Sequence, residues 1–269
     1  MTIQQWLLNT IAILEKSEIP TPRLDAELLL AGCLEKDRSW LHAHPETTLN
    51  DMQIKKLAAL IERRALHEPI AYIRSKQEFY GRDFLVSPHT LTPRPETETL
   101  IELALKVIQQ HGIKSVADIG TGSGCIIISL ALEANGPQKY TGYDISESAI
   151  KVAQKNAEKL KAEVVFEQDD ITQSTKHAWR SSDLIVANLP YVPEDFHINP
   201  AATHEPDFAI FGGEDGLYYY RHLFSQLQGS RFVITESLPM QHKTLKDIAA
   251  LANYKEVESQ DLIQVFRLG

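Results

Sequence analysis

The sequence predicts an α/β protein: a doubly wound, mostly parallel sheet of seven strands preceded by a small helical domain. Three observations predict it. From about residue 95 onward, short apolar runs alternate with amphipathic helical segments, the pattern of helices packed on both faces of a parallel sheet. Before residue 75 only helical periodicity is found. The last two strand-like runs, 254–258 and 262–266, leave no room for a crossover helix, so the final strand should be antiparallel.

In the first region Ile3, Trp6, Leu7, Ile11 and Leu14 recur at helical spacing, and Pro20-Thr21-Pro22 ends that helix. Leu24, Ala26, Leu28, Leu29 and Leu30 suggest a second helix. A third starts after Asn50, a suitable N-cap, and runs through Leu57, Leu60 and Ile61. Residues 78–86 read as a β-hairpin around a Gly81-Arg82-Asp83 turn. The predicted boundaries are 1–75 for the helical domain, 76–92 for the hairpin linker and 93–269 for the α/β domain.

Within the α/β domain Thr97–Gln110 is an amphipathic helix and Ser115–Ile119 a short buried strand. Helix Ile126–Glu133 and strand Tyr140–Asp144 follow, then helix Ala149–Leu160 capped by Ser146. Strands 164–166 and 184–187, helix Leu217–Leu227, strand Arg231–Thr235 and helix Lys243–Ala252 complete the order before the closing pair.

The 269 residues carry a net charge of −9, of which −1 falls on residues 1–85 and −8 on residues 86–269. An acidic body weighs against a protein held mainly by nucleic-acid phosphates, which needs clustered Lys and Arg. No basic leader or membrane-length apolar run is visible, and two distant cysteines, Cys33 and Cys125, suit a reducing compartment. The expectation is a cytoplasmic protein without membrane contact.

Two motifs carry the chemistry. Asp118-Ile119-Gly120-Thr121-Gly122-Ser123-Gly124 joins a strand to a helix. Three glycines at alternate positions let a nucleotide-like ligand approach the main chain, and the departure from G-x-G-x-x-G favours S-adenosylmethionine (AdoMet) over a dinucleotide. Asp118 is placed for the ligand's ammonium or ordered water beside it. Asp144, closing the next strand, is placed to accept from both ribose hydroxyls. The second motif, Asn188-Leu189-Pro190-Tyr191, follows the apolar run 184–187. An amide or exocyclic amino nitrogen is a poor nucleophile because its lone pair is delocalised. The Asn188 side-chain oxygen and the Leu189 carbonyl can grip its two N–H bonds, turn the lone pair out of plane and stabilise the positive charge that develops. Pro190 fixes the turn, and Tyr191 can lie against the face of the planar group.

With these residues the chain resembles the HemK-type class I methyltransferases, the N5-glutamine methyltransferases of peptide chain release factors. Pro69–Ile73 and Glu78–Gly81 look like the family's linker and hairpin, and Leu91–Glu98 like the segment before its first catalytic-domain helix. Asp118–Cys125 looks like its AdoMet loop and Asn188–Tyr191 like its N-P-P-Y motif. Glu205-Pro206, Gly212–Leu217 and Tyr220-Arg221 look like its E-P…G-G-x-D-G-L…Y-R block. Four departures stand out: Leu189 replaces the first motif proline, Arg74-Ser75 stands where a glycine is usual, 236–241 keeps the family's Glu and Gln without its glycine, and no glycine stands just before the final strand.

The resemblance implies AdoMet as donor, S-adenosylhomocysteine as product, no metal, a release factor docked by the N-terminal helices, and the glutamine of its Gly-Gly-Gln loop as acceptor. It implies Asp118, Gly120, Thr121, Gly122, Ser123, Gly124, Asp144, Asp169, Asp170 and Asn188 at the cofactor, with an adenine contact from Asp169-Asp170. Asn188, Leu189, Pro190 and Tyr191 would hold the acceptor, with Asn188, Pro190 and Tyr191 catalytic. Two alternatives keep part of this chemistry: methylation of a ribosomal-protein glutamine, and, with less support from the charge, N6-adenine methylation of nucleic acid. His42 and His44 read as surface residues rather than a metal pair, and Arg94 as a structural cation.

Overall fold

The computed structural model describes residues 1–136, 138–173 and 177–269. The chain forms two compact units, one of residues 1–75 with 199–204 and one of residues 76–198 with 205–269.

The first unit holds helices α1 (Ile3–Lys16), α2 (Pro22–Leu34), α3 (Arg38–Ala43), α4 (Asp51–Ala65) and α5 (Ile70–Arg74). Capping boxes start α1 and α4: the Thr2 and Asn50 side chains accept from Gln5 and Gln53 backbone N–H groups, whose own side chains answer. Ile3, Trp6, Leu14, Leu29, Leu30, Leu57 and Ile61 close one core. Inside it Arg64 donates to Asp25 at 2.6 Å, with both side chains almost wholly buried. Helices α3 and α5 went unpredicted, because six and five residues are too few to display a period.

The second unit opens with a hairpin, β1 (Lys76–Phe79) and β2 (Arg82–Leu85). Its turn is Tyr80-Gly81, with φ of 49° and 71°, and not Gly81-Arg82-Asp83. Two left-handed residues suit the twist of a two-residue hairpin, so Arg82 pairs with Phe79 as the first residue of β2.

The main sheet has seven strands among the described residues: β3 (Ser115–Ile119), β4 (Lys139–Asp144), β5 (Val165–Gln168), β6 (Leu184–Ala187), β7 (Phe232–Glu236), β8 (Tyr254–Gln260) and β9 (Ile263–Leu268). Their order is β5-β4-β3-β6-β7-β9-β8. The first five in that order are parallel, and β9 runs against both its neighbours, as expected for the last strand. Helices α6 (Glu98–His111), α7 (Cys125–Glu133), α8 (Glu147–Leu160), α9 (Tyr218–Gln226) and α10 (His242–Leu251) cover it. Val116, Leu184, Val186 and Ile234 pack on one face with Leu100, Ile101 and Ile127, while Ala117, Ile185 and Val233 pack on the other with Leu223, Phe224 and Leu245. Burial on both faces explains why β6 is apolar without alternation.

This topology positions the site. The chain order reverses between β3 and β6, where open parallel sheets bind ligands beyond the carboxyl ends of the strands. Ile119 pairs with both Tyr143 and Ala187, so the glycine turn lies between Asp144 on one side and Asn188 on the other. Asp144 pairs with Gln168, which sets Asp169 at the same edge. Among the described residues no helix is long and apolar enough to cross a membrane.

Candidate active site

A cavity of about 550 Å3 opens at this edge. Gly120, Thr121, Gly122, Ser123, Asp144, Asp169, Asp170, Asn188, Leu189 and Pro190 all line it. Asp118, Gly124 and Tyr191 do not.

The three glycines of the turn have φ of 75°, 54° and 79°, a conformation that L side chains adopt only with strain. A Cβ on Gly120 would meet the Leu189 side chain at 3.1 Å, and one on Gly124 would meet Ile128 and Ala153 at 2.9 and 3.1 Å. Leu189, 4% exposed, therefore fills the space over Gly120; this is what the residue in place of the motif proline does.

Asp118 sits beneath the turn, fully buried. Its Oδ2 accepts from the Thr121 hydroxyl at 2.7 Å, while Oδ1 is buried without a hydrogen bond. Burial pushes its carboxyl up to about 7 against the Thr121 hydrogen bond. Its place is below the cavity wall rather than on it. Asp144 stands on the wall. Its Oδ2 accepts from Gly122 N–H and its Oδ1 from Ser146 N–H, both at 2.9 Å. Each oxygen keeps a further lone pair for a ligand hydroxyl. Burial raises its pKa and the two N–H groups oppose that rise.

Asp169 and Asp170 are more committed than the sequence suggested. Asp169 Oδ2 accepts from His177 Nδ1 at 2.7 Å and Trp179 Nε1 at 2.9 Å, and Oδ1 accepts from Asp170 N–H. Asp170 accepts from Thr172 and Gln173, closing a local turn. Both still face the cavity.

Asn188 donates from Nδ2 to Thr97 Oγ1 at 3.1 Å, which leaves Oδ1 as its uncommitted polar atom. Leu189 N–H donates to the Tyr220 hydroxyl at 3.2 Å, and Tyr220 in turn donates to the main-chain oxygen of Glu236. The resemblance marked Tyr220 as part of a motif block without giving its task; it is fully buried and pins the motif backbone. Tyr191 points to Glu236 Oε1 at 3.0 Å instead of lying along the cavity wall. A largely buried phenol needs a partner for its hydroxyl, and Glu236 supplies it. Burial and the Glu236 charge together hold the Tyr191 hydroxyl far above its ordinary range.

The downstream glycine block is the other half of the turn. A Cβ on Gly212 would come within 2.3 Å of Pro190 O, and one on Gly216 within 2.0 Å of Tyr191 O. Gly212 N–H donates to Val192 O, and Gln241 Nε2 donates to Tyr191 O and Asp215 O at 2.7 and 2.9 Å. The spacing exposed these glycines as a block but gave no sign that they lie against residues 190 and 191. Arg94 donates to Glu205 Oε2 at 2.7 Å, the kind of pair expected of a structural cation, and it also lines the cavity. Among the described residues no three His, Cys, Asp or Glu side chains gather as a metal ion would require.

The glycine turn, which presents Gly120 to Ser123 to the cavity, and Asp144, with a lone pair to spare on each oxygen, fit a cofactor with an amino-acid head and a ribose. The chemistry available is recognition of such a cofactor at one end of the cavity and of a planar N–H donor at the other.

Residues 5–74 match the family model described as PrmC N-terminal domain, and residues 110–261 match a methyltransferase domain model. A release factor glutamine methyltransferase of Koribacter versatilis is 43% identical over 230 residues, covering 84% of this chain and 81% of that one. One from Bacillus subtilis is 36% identical over 234 residues, covering 83% and 81%. Among solved structures, a methyltransferase from Pyrococcus furiosus superposes with a TM-score of 0.50 at 19% identity, over 80% of this chain and 98% of that one, a likeness of fold.

Proposed function

The chain belongs to the release factor glutamine methyltransferase family, and on that premise we propose that it transfers a methyl group from AdoMet to the side-chain amide nitrogen of the glutamine in a release factor's Gly-Gly-Gln loop. The single observation that carries the reading is the pairing of Ile119 with Ala187, which sets the glycine turn and the Asn188 motif at one cavity.

AdoMet, when bound, supplies an electrophilic methyl on a sulfonium. The turn backbone from Gly120 to Ser123 receives its amino-acid end, and Asp118, beneath the turn and accepting from the Thr121 hydroxyl, braces that backbone. Asp144 takes the ribose hydroxyls, and the 169–170 turn borders the base. At the other end Asn188 Oδ1 and the Leu189 carbonyl accept the two N–H bonds of the substrate carboxamide. That grip holds the nitrogen lone pair toward the methyl and favours positive charge on nitrogen as the bond forms. No strong base is needed, because the proton on nitrogen becomes acidic once the methyl is attached. Pro190 keeps the Leu189 carbonyl oriented.

The N-terminal helical unit is the part proposed to dock the release factor. The setting proposed is the cytoplasm, with S-adenosylhomocysteine as product and no metal or nucleic acid in the reaction. Incubation with AdoMet, followed by mass spectrometry of release factor and ribosomal proteins, tests the reading. One added methyl on the loop glutamine is expected. A methyl on ribosomal protein or on nucleic acid, with release factor unmodified, overturns it.

A further inference from the structure

We propose that Glu236 is the positioning residue of the acceptor station, setting the geometry of Asn188, Leu189 and Tyr191 together while itself staying out of the cavity. The inference rests on the function proposed above.

Glu236 closes β7 and is 1% exposed. It reaches the motif at three points. Oε1 accepts from the Tyr191 hydroxyl at 3.0 Å. Its main-chain oxygen accepts from Tyr220, whose hydroxyl takes the Leu189 N–H. Its carboxylate also lies near Thr97 and Asn188, and Asn188 donates to Thr97 at 3.1 Å. Its remaining oxygen, Oε2, is buried with Thr97 and Asn188 as its polar neighbours but no hydrogen bond of full geometry, and no cation is among the groups acting on the carboxylate. A buried carboxylate with neither cation nor full hydrogen bonding is costly. Nothing in the packing of β7 requires it, since the residues before it on that face, Phe232 and Ile234, are apolar. What the carboxylate does do is hold the Tyr191 hydroxyl and lie against the Thr97–Asn188 pair, while the Glu236 main chain holds Tyr220 and through it Leu189. Removing it frees the Tyr191 phenol and loosens the Thr97–Asn188 pair, so Asn188 Oδ1 loses its fixed place opposite the Leu189 carbonyl.

The test compares Glu236→Ala, Glu236→Gln, Tyr191→Phe and the Glu236→Ala/Tyr191→Phe double variant of the full chain. Turnover on release factor is measured alongside AdoMet affinity by calorimetry. Glu236→Ala and Tyr191→Phe should each lower kcat by about tenfold or more with AdoMet affinity unchanged, since the lost interaction serves the reacting geometry. The double variant should be no slower than Glu236→Ala alone, because both remove one link. Glu236→Gln, whose carbonyl still accepts from Tyr191, should restore turnover to within about threefold of the native chain. If Glu236→Ala does not fold, the contrast between Glu236→Gln and Tyr191→Phe decides. Wild-type turnover in Tyr191→Phe, or a Glu236→Gln variant as slow as Tyr191→Phe, overturns the proposal. Absence of release-factor methylation by the native chain would instead remove the function it rests on.

Discussion

At the residue scale the chemistry of the site is set by which polar atoms are already committed. Asn188 has given its amide nitrogen to Thr97, so its oxygen is the end that can accept from a substrate. Asn188→Ala should therefore lower kcat on the order of a hundredfold or more, the usual cost of losing one preorganised polar group, while AdoMet still binds. An equal loss of AdoMet affinity, measured by calorimetry, would place the residue in cofactor binding instead. Asp144 also holds Gly122 and Ser146, so Asp144→Ala should weaken AdoMet binding by about tenfold to a hundredfold through lost charged hydrogen bonds. The sequence made Asn188, Pro190 and the three turn glycines legible because each sits at a strand end where its type has few other uses. It did not make the aim of Tyr191 legible. That depends on Glu236, 45 positions away in the chain and recognisable beforehand only as a family-matching acid.

At the element scale the acceptor turn is a composite of two segments. Asn188–Tyr191 supplies the contacts, and Gly212–Gly216 supplies the floor against which they lie. Gly216→Ala combines a φ of 75° with a Cβ 2.0 Å from Tyr191 O, a main-chain atom that cannot move aside as the nearby Gln241 side chain could. It should lower the melting temperature and turnover together. Gly32→Ala, inside α2 with nothing within 4 Å, should be neutral or stabilise by about 0.5–1 kcal/mol, the helical preference for Ala over Gly. Thermal melts of the two variants check this, and a Gly216→Ala chain as stable as the Gly32→Ala chain would contradict it. Long periodic helices and buried strands were readable to within a residue or two. The short α3 and α5 and the hairpin turn were not, since five or six residues carry no period and the Tyr80-Gly81 turn has an ordinary residue in a left-handed conformation.

At the scale of the whole molecule, alternating helix and strand announced a doubly wound sheet, and the missing crossover before Ile263–Leu268 announced the reversed strand. The strand order places the two motifs together, and it followed from topology rules more than from any one residue. Residues 199–204, which fold with the first unit, could not be assigned from the chain order. The molecule also carries a shared electrostatic signature. Asp118, Asp144, Glu205 and Glu236 all have raised pKa values, chiefly through burial. A carboxyl whose folded pKa is raised favours the folded state fully below its unfolded pKa, and that contribution is lost as pH rises through the folded value. For Asp118 the window runs from its ordinary 3.8 to about 7. The ligand-free chain should lose melting temperature across this range, and Asp118→Asn should lose less. Parallel melting curves for the two would contradict the assignment. Asp215 acts in the opposite sense: the Arg221 hydrogen bonds hold it at about 2, so its contribution disappears only as pH falls toward that value.

The most direct test of the central claim is a crystal structure of the chain with S-adenosylhomocysteine and a release factor bound. The loop glutamine's carboxamide nitrogen is expected within hydrogen-bond distance of both Asn188 Oδ1 and the Leu189 carbonyl, facing the cofactor's sulfur beside Gly120–Gly124. A glutamine held elsewhere, or an Asn188 side chain turned out of the cavity, would contradict it.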